Sequence, residues 1–220
     1  MPLIDMPVDA LKIYMGTNPR PDDFDAYWDA ALAALDRTDA DITLAPANIQ
    51  TKSAECLHLT FNGVGGARVY AKYLRPIGLT APHPAILMFH GYTAKSGDWS
   101  DKLAYVSQGF SVLAMDCRGQ GGQSTDPGGV TGNTLSGHII RGLADAPERL
   151  YYRNVYLDTV QLARIAGMLP NVDANRIGVL GGSQGGGLTL ACAALHPAIR
   201  KAAPTYPFLC DFQRVWEMDL

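Results

Sequence analysis

Between a short apolar run, Arg176-Ile-Gly-Val-Leu180, and a stretch built mainly from Gly, Ala and Leu, Gln184 to Leu195, the chain reads Gly181-Gly182-Ser183-Gln184-Gly185. A G-x-S-x-G pentapeptide leaving a buried strand and opening a helix is the signature of a nucleophile elbow. The turn is tight enough to force its serine into strained backbone angles, and small neighbours relieve the crowding. Ser183 is therefore the candidate nucleophile, its hydroxyl raised at the C-terminal edge of a sheet. Read without its context, the same pentapeptide is a glycine-rich turn with an ordinary serine. The strand before it and the helix after it favour the elbow.

The rest of the chain supplies the sheet such a turn needs. Pro84 to His90 and Phe110 to Met115 are short continuous apolar runs, which predict central parallel strands buried on both faces. Trp99 to Gln108 is the expected crossover helix between them. Leu150 to Leu169 predicts a longer helix, and Ala202 to Tyr206 a further strand. Earlier, Glu55 to Asn62 and Ala67 to Leu74 alternate in polarity around Gly63, Gly65 and Gly66, an antiparallel hairpin. Phe24, Tyr27, Trp28, Ala31, Leu32 and Leu35 share one helical face. They belong to an N-terminal helical extension, residues 1–50, packed on one domain spanning residues 1–220. Alternating strands and helices give an α/β class with a mostly parallel central sheet and helices on both faces.

Composition narrows the function. At 47% apolar and 18% charged residues the chain is globular, not disordered. A net charge of −3 gives no basic excess for nucleic acid, and no apolar run is long enough for a membrane span. The N-terminus lacks a basic region followed by an apolar stretch, so it does not read as a secretory signal. Cys56, Cys117, Cys192 and Cys210 are widely spaced and form no C-x-x-C pair. Reduced thiols and a cytoplasmic location are the expectations.

Two further motifs fall at strand ends. His90-Gly91-Tyr92 follows the first parallel run. The backbone N–H of Tyr92 and that of Gln184, next to the nucleophile, are the expected oxyanion-hole donors. His90 is read as a brace for this loop rather than as the base. Asp116-Cys117-Arg118-Gly119-Gln120-Gly121-Gly122 follows the second run. It matches neither G-x-G-x-x-G nor G-x-x-x-x-G-K-[ST], so Arg118 is read as a loop anchor and not as a phosphate ligand.

Arg118-Gly119-Gln120 combined with Gly181-Gly182-Ser183-Gln184-Gly185-Gly186 resembles the acetyl xylan esterase / cephalosporin-C deacetylase family of α/β-hydrolases. Supporting stretches are Pro21 to Trp28, His90-Gly91-Tyr92, Tyr151-Tyr152-Arg153, and Tyr206-Pro207-Phe208-Leu209 leading into Asp211-Phe212 and Arg214 to Asp219. The resemblance implies a serine carboxylesterase that removes acetyl groups from small sugars or cephalosporin-like esters. Ser183 would be the nucleophile and Tyr92 and Gln184 the oxyanion donors, with no metal or cofactor and a ring-like homo-oligomer, typically a hexamer. It also implies an acid and a His-Glu motif further along than Leu220. The expectation is thus the N-terminal two-thirds of such an enzyme, its sheet short of the last strands and its triad Asp and His lacking. After Ser183 the sequence has one histidine, His196, about 20 Å down the helix at about 1.5 Å per residue. Asp211, after the next expected strand, is a rival for the acid, but the family pattern places it in a structural segment. The alternatives are a catalytically impaired fragment, a non-catalytic relative, or another acyl hydrolase of the same fold. Dienelactone-type enzymes usually carry Cys where this chain has Ser183, and peptidases of this fold add a large propeller domain.

Overall fold

The computed structural model describes residues 5–127, 130–131, 138 and 141–214. In chain order the elements are α1 (Val8–Leu11), α2 (Phe24–Asp36), β1 (Thr43–Pro46), β2 (Ala54–Asn62), β3 (Arg68–Pro76), β4 (His83–Phe89), α3 (Leu103–Ser107), β5 (Ser111–Met115), β6 (Thr125–Asp126), β7 (Val130–Thr131), α4 (Tyr151–Met168), β8 (Val172–Gly182), α5 (Gln184–Leu195) and β9 (Ile199–Thr205). Seven strands form one sheet in the order β1-β2-β3-β5-β4-β8-β9, and β6 and β7 pair separately. β1, β2, β3 and β5 are joined by antiparallel pairings. From β5 through β4 and β8 to β9 the pairings are parallel.

The predicted hairpin is β2–β3, in register from Ala54↔Pro76 to Asn62↔Arg68. The apolar runs become β4, β5 and β8. β1 adds a strand that Thr43–Pro46 does not announce, because a four-residue exposed edge carries no burial pattern. The expected crossover helix is shorter than Trp99 to Gln108. A 3₁₀ turn over Ser100–Lys102 comes first, and α3 covers five residues.

Among the described residues one expectation is met only in part. β5 is buried along its whole length, but β4 and β8 are not buried on both faces. Ala85, Leu87, Phe89, Ile177 and Val179 join the main core beneath α4 and α5. On the opposite face Ile86, Met88, Gly178 and Leu180 are half-exposed. The reason is the placement of the helices. α4 and α5 pack together on one side of the parallel strands, while α3 on the other side reaches β2, β3 and β5. Continuous apolar sequence marked what the strands can bury, not what covers them.

The main core is deepest under α4, where Val155, Leu162 and Ile165 are almost fully buried. Each such side chain contributes about 1.5–3 kcal/mol through the surface it removes from water. α2 packs on the outer side of α4 through Ala31 and Leu35 against Leu157 and Val160. This leaves the C-terminal ends of β4, β5 and β8 together at one sheet edge, where their following loops converge. Among the described residues no helix is long and apolar enough to cross a membrane.

Candidate active site

β8 runs straight into α5 through Ser183, whose φ of 56° and ψ of −119° lie outside the allowed regions for an L-residue. Three backbone bonds hold it there. Its N–H donates to the Thr205 carbonyl at 3.0 Å, and its own carbonyl accepts from Gly187 at 3.1 Å and Phe208 at 2.9 Å. The glycines are required by close approach as much as by the turn. A Cβ on Gly185 would lie 2.1 Å from the Phe89 carbonyl oxygen, and one on Gly181 would lie 2.5 Å from the Gly185 carbonyl oxygen. Both obstacles are backbone, which cannot swing aside. Gly185→Ala is therefore expected to destabilise by at least the roughly 1–3 kcal/mol of an overpacked site. Urea unfolding checks this, and an unchanged midpoint would contradict it.

Phe89 at the end of β4 pairs with Gly181 in β8, so the loop after β4 and the elbow rise from the sheet side by side. Tyr92 lies in that loop. His90 fixes it from below. Its Nδ1 lies 2.7 Å from the Gly91 carbonyl oxygen, and its Nε2 accepts the Cys117 N–H at 2.9 Å. These partners set the tautomer: the proton sits on Nδ1 and the ring is neutral. Both nitrogens are occupied by backbone, so His90 is a brace and has no lone pair free for Ser183.

Burial holds the His90 pKa below its ordinary 6.5, partly offset by the Gly91 hydrogen bond and the Asp116 charge. Since the folded value is the lower one, the unfolded chain takes up the proton first as pH falls. The stability His90 provides is complete above about pH 6.5 and is lost progressively below it. Denaturant titrations at pH 7.5 and 5.0 should show this loss, and His90→Gln should reduce it. An equal loss in both proteins would contradict the assignment.

Arg118, Gly119 and Gln120 form the third side. Arg118 makes a two-pronged ion pair with Asp158 of α4, Nε to Oδ2 at 2.7 Å and Nη2 to Oδ1 at 2.5 Å. A third bond reaches the Val64 carbonyl at 3.0 Å. Gly119, at φ 65°, turns the chain beyond it. The Gln120 side chain then donates to Tyr151 Oη at 3.1 Å and to Gln184 Oε1 at 2.8 Å. Tyr152 Oη also donates to Gln184 Oε1 at 2.8 Å, while Tyr151 Oη donates to the Arg118 carbonyl at 2.5 Å. Gln184 thus locks the start of α5 to the Arg118 loop and to α4 with its side chain. Its N–H remains at the helix N-terminus, beside Ser183. Burial pushes both tyrosine pKa values far up, so the phenols stay protonated donors.

Other sequence candidates lie elsewhere. His196 caps the far end of the twelve-residue α5. The Asp211 carboxylate accepts hydrogen bonds from Tyr14 Oη and, at 2.5 Å, from Thr17 Oγ1, which hold its pKa below the usual value. It ties the N-terminal segment to the loop after β9. Among the described residues no histidine nitrogen is hydrogen-bonded to Ser183 Oγ. All four cysteines are free thiols. Asp158, Tyr151 and Tyr152 were not singled out in the sequence as parts of the loop anchor. A carboxylate on the buried face of α4, seven residues after Tyr151, was the available signal.

A family model described as acetyl xylan esterase (AXE1) matches residues 1–220. The crystal structure of acetyl xylan esterase 1 from Thermoanaerobacterium sp. JW/SL YS485 is 56% identical, with a TM-score of 0.93 over 98% of this chain and 68% of that one. An acetyl xylan esterase from Paenibacillus sp. R4 is 34% identical, with a TM-score of 0.90 over 97% of this chain and 68% of that one. Acetyl esterase Axe7A of Xylanibacter ruminicola is 28% identical over 87% of this chain and 44% of that protein. The chain therefore spans less than half of that curated relative and about two thirds of the solved ones. The family match over residues 1–220, together with the 56% and 34% identities to solved acetyl xylan esterases of the same fold, shows that the chain belongs to the acetyl xylan esterase family, within the α/β-hydrolases.

Proposed function

We infer that this polypeptide carries the nucleophile of a serine carboxylesterase that removes acetyl groups from small acetylated sugars. The observation that carries this reading is the backbone of Ser183, held at φ 56° between a β8 terminus and an α5 N-terminus. A serine kept in that conformation costs about 1–3 kcal/mol, and such strain persists where it serves a site. Ser183 Oγ would attack the acetyl carbonyl and form an acyl-enzyme as the sugar oxygen departs. Water would then release acetate. The oxyanion of each tetrahedral intermediate would be met by the N–H groups of Tyr92 and Gln184, which follow neighbouring parallel strand ends. The α5 N-terminus adds its positive dipole end at the same point.

The family resemblance extends the reading to cephalosporin-like acetyl esters, to a homo-oligomer and to a cytoplasmic setting. Acetate release from acetylated xylose by the purified protein, compared with Ser183→Ala, tests the substrate class. Release by the former alone supports it, and equal release by both rejects it.

One observation favours a second reading, a catalytically impaired member of the family. Ser183 has no histidine partner among the described residues, and the two best candidates are placed by contacts of their own, His90 in its loop and His196 at the far end of α5. The two readings differ in rate and not in the identity of the nucleophile.

A further inference from the structure

Tyr92 lies in a strained loop that is held at three points. The Ala94 N–H donates to the Gly91 carbonyl at 3.2 Å and closes a turn over Tyr92 and Thr93. Thr93 has φ 68°, the left-handed region that the second central residue of such a turn needs and that a β-branched side chain resists. A residue kept there persists only where its surroundings over-determine it. The first support is the His90 ring, at the start of the loop. The second is the close approach of the next loop. A Cβ on Gly121 would lie 2.6 Å from the Thr93 carbonyl oxygen and 3.0 Å from that of Ala94. The third support is at the other end. Ser96 donates its N–H to Asp116 Oδ1 at 2.6 Å, and its hydroxyl accepts from the Lys72 ammonium at 2.9 Å. Asp116 Oδ2 accepts the Gln123 N–H at 2.9 Å, which ties the same carboxylate to the loop carrying Arg118 and Gln120. Asp116 and Ser96 are buried. Lys72 Nζ stands 5.7 Å from the centroid of the Tyr70 ring and 5.5 Å from that of Trp99.

Building on the reading of the Tyr92 N–H as an oxyanion donor, we propose that Asp116 is a positioning residue for the reaction, acting on that donor through Ser96 with Lys72 in support. A turn pinned at one end can rotate its peptide planes, whereas an oxyanion donor must stand within about 0.5 Å of its productive place before the reaction begins. Asp116 supplies the second pin. Its two oxygens reach two loops, so the loop after β4 and the loop after β5 keep a fixed separation beside the elbow. Hydrogen bonds from backbone N–H groups to a carboxylate are charge-assisted and roughly twice as strong as neutral ones. Gly122 closes over the carboxylate, since a Cβ there would lie 2.0 Å from Oδ2. Lys72 reaches Ser96 from β3, so Ser96 is gripped through its backbone by one strand and through its side chain by the neighbouring one. Among the described residues Asp116 makes no hydrogen bond to Ser183, and its effect on the chemistry passes through the loop.

The test compares p-nitrophenyl acetate with its thionoacetate analogue, in which sulfur replaces the carbonyl oxygen. Sulfur is a weaker acceptor on a longer bond, so N–H donors aimed at an oxyanion aid its attack little. With either ester the Ser183 Oγ–carbon bond forms, p-nitrophenolate leaves and the hydroxyl proton passes to solvent. Acid quench and peptide mass spectrometry of the 220-residue protein read the rate of acyl transfer to Ser183. In Asp116→Asn that rate should fall roughly tenfold with the ester, less than the 10²–10³ of deleting a donor outright, and by less than about twofold with the thionoester. Lys72→Met keeps the stem between the two rings and removes the ammonium. It should shift the ester-to-thionoester ratio the same way by about threefold, and it carries the test where circular dichroism shows Asp116→Asn unfolded. Leu35→Ala, in the cluster between α2 and α4, should leave the ratio unchanged, which separates positioning from general loss of stability. An equal loss with both esters in folded Asp116→Asn would overturn the proposal and leave Ser183 standing as nucleophile. So would an unchanged ratio there, or in Lys72→Met where Asp116→Asn does not fold. No acylation of Ser183 by either ester in the unsubstituted protein would overturn the esterase reading and the proposal with it.

Discussion

Arg118→Met should lower the free energy of unfolding by about 3–5 kcal/mol, the cost of leaving a buried charge without its partner. The side chains of Arg118 and Asp158 are 2% and 0% exposed, so neither can turn to water. Burial already pushes the Asp158 carboxyl up from its ordinary value, against the pull of the guanidinium. Without Arg118 that carboxyl must stay ionised in an apolar setting or take up a proton. A folded-state pKa raised above the unfolded one lowers stability as pH rises, so the deficit should be larger at pH 8 than at pH 5. Arg118→Met/Asp158→Leu should recover most of the loss, because two apolar side chains leave no orphan charge. Arg75→Met provides the contrast. Its pair with Glu55 is 35% and 47% exposed, and its removal should cost no more than about 1 kcal/mol. Urea unfolding of the four proteins measures all of this. A small loss in Arg118→Met would remove the anchoring role of the Arg118-Gly119-Gln120 loop.

The second large effect concerns rate. The 220-residue polypeptide should hydrolyse p-nitrophenyl acetate about 10²–10⁴-fold more slowly than the Thermoanaerobacterium relative, the factor a positioned general base supplies. The cause is local. His90 donates from Nδ1 to Gly91 and accepts at Nε2 from Cys117, so its lone pair is spent. On the proposed reading, with no base among the described residues, Ser183 would attack as a neutral hydroxyl, aided by the proposed oxyanion donors and the helix dipole. Residual catalysis from such a hole is real, and Ser183→Ala should remove it. Turnover as fast as the relative's would mean that a base reaches Ser183 by a route the described contacts do not show.

Much of this was legible in the sequence because it rests on local chemistry. The elbow is written in five consecutive residues, and its strain follows from tight geometry that the structure reproduces at Ser183. The brace at His90 follows from its position at a strand end. What sequence could not supply is long-range. Asp158 as the partner of Arg118, 40 residues away, depends on how α4 lies over β5. The open face of β4 and β8 was missed for the same reason. Ile86, Met88 and Leu180 are apolar like any core residues, and their type does not say whether a helix sits above them. β1 went unseen because an exposed edge strand of four residues has no periodicity to read.

The nucleophile itself can be caught directly. When deacylation is slow, an activated ester leaves its acyl group on the attacking side chain, and the acyl-enzyme accumulates. Incubation with p-nitrophenyl acetate, acid quench and peptide mass spectrometry should locate one acetyl group on Ser183, and Ser183→Ala should carry none at the equivalent peptide. Acetylation confined to lysines or other side chains, unchanged in Ser183→Ala, would show that the strained serine at the head of α5 is not a nucleophile.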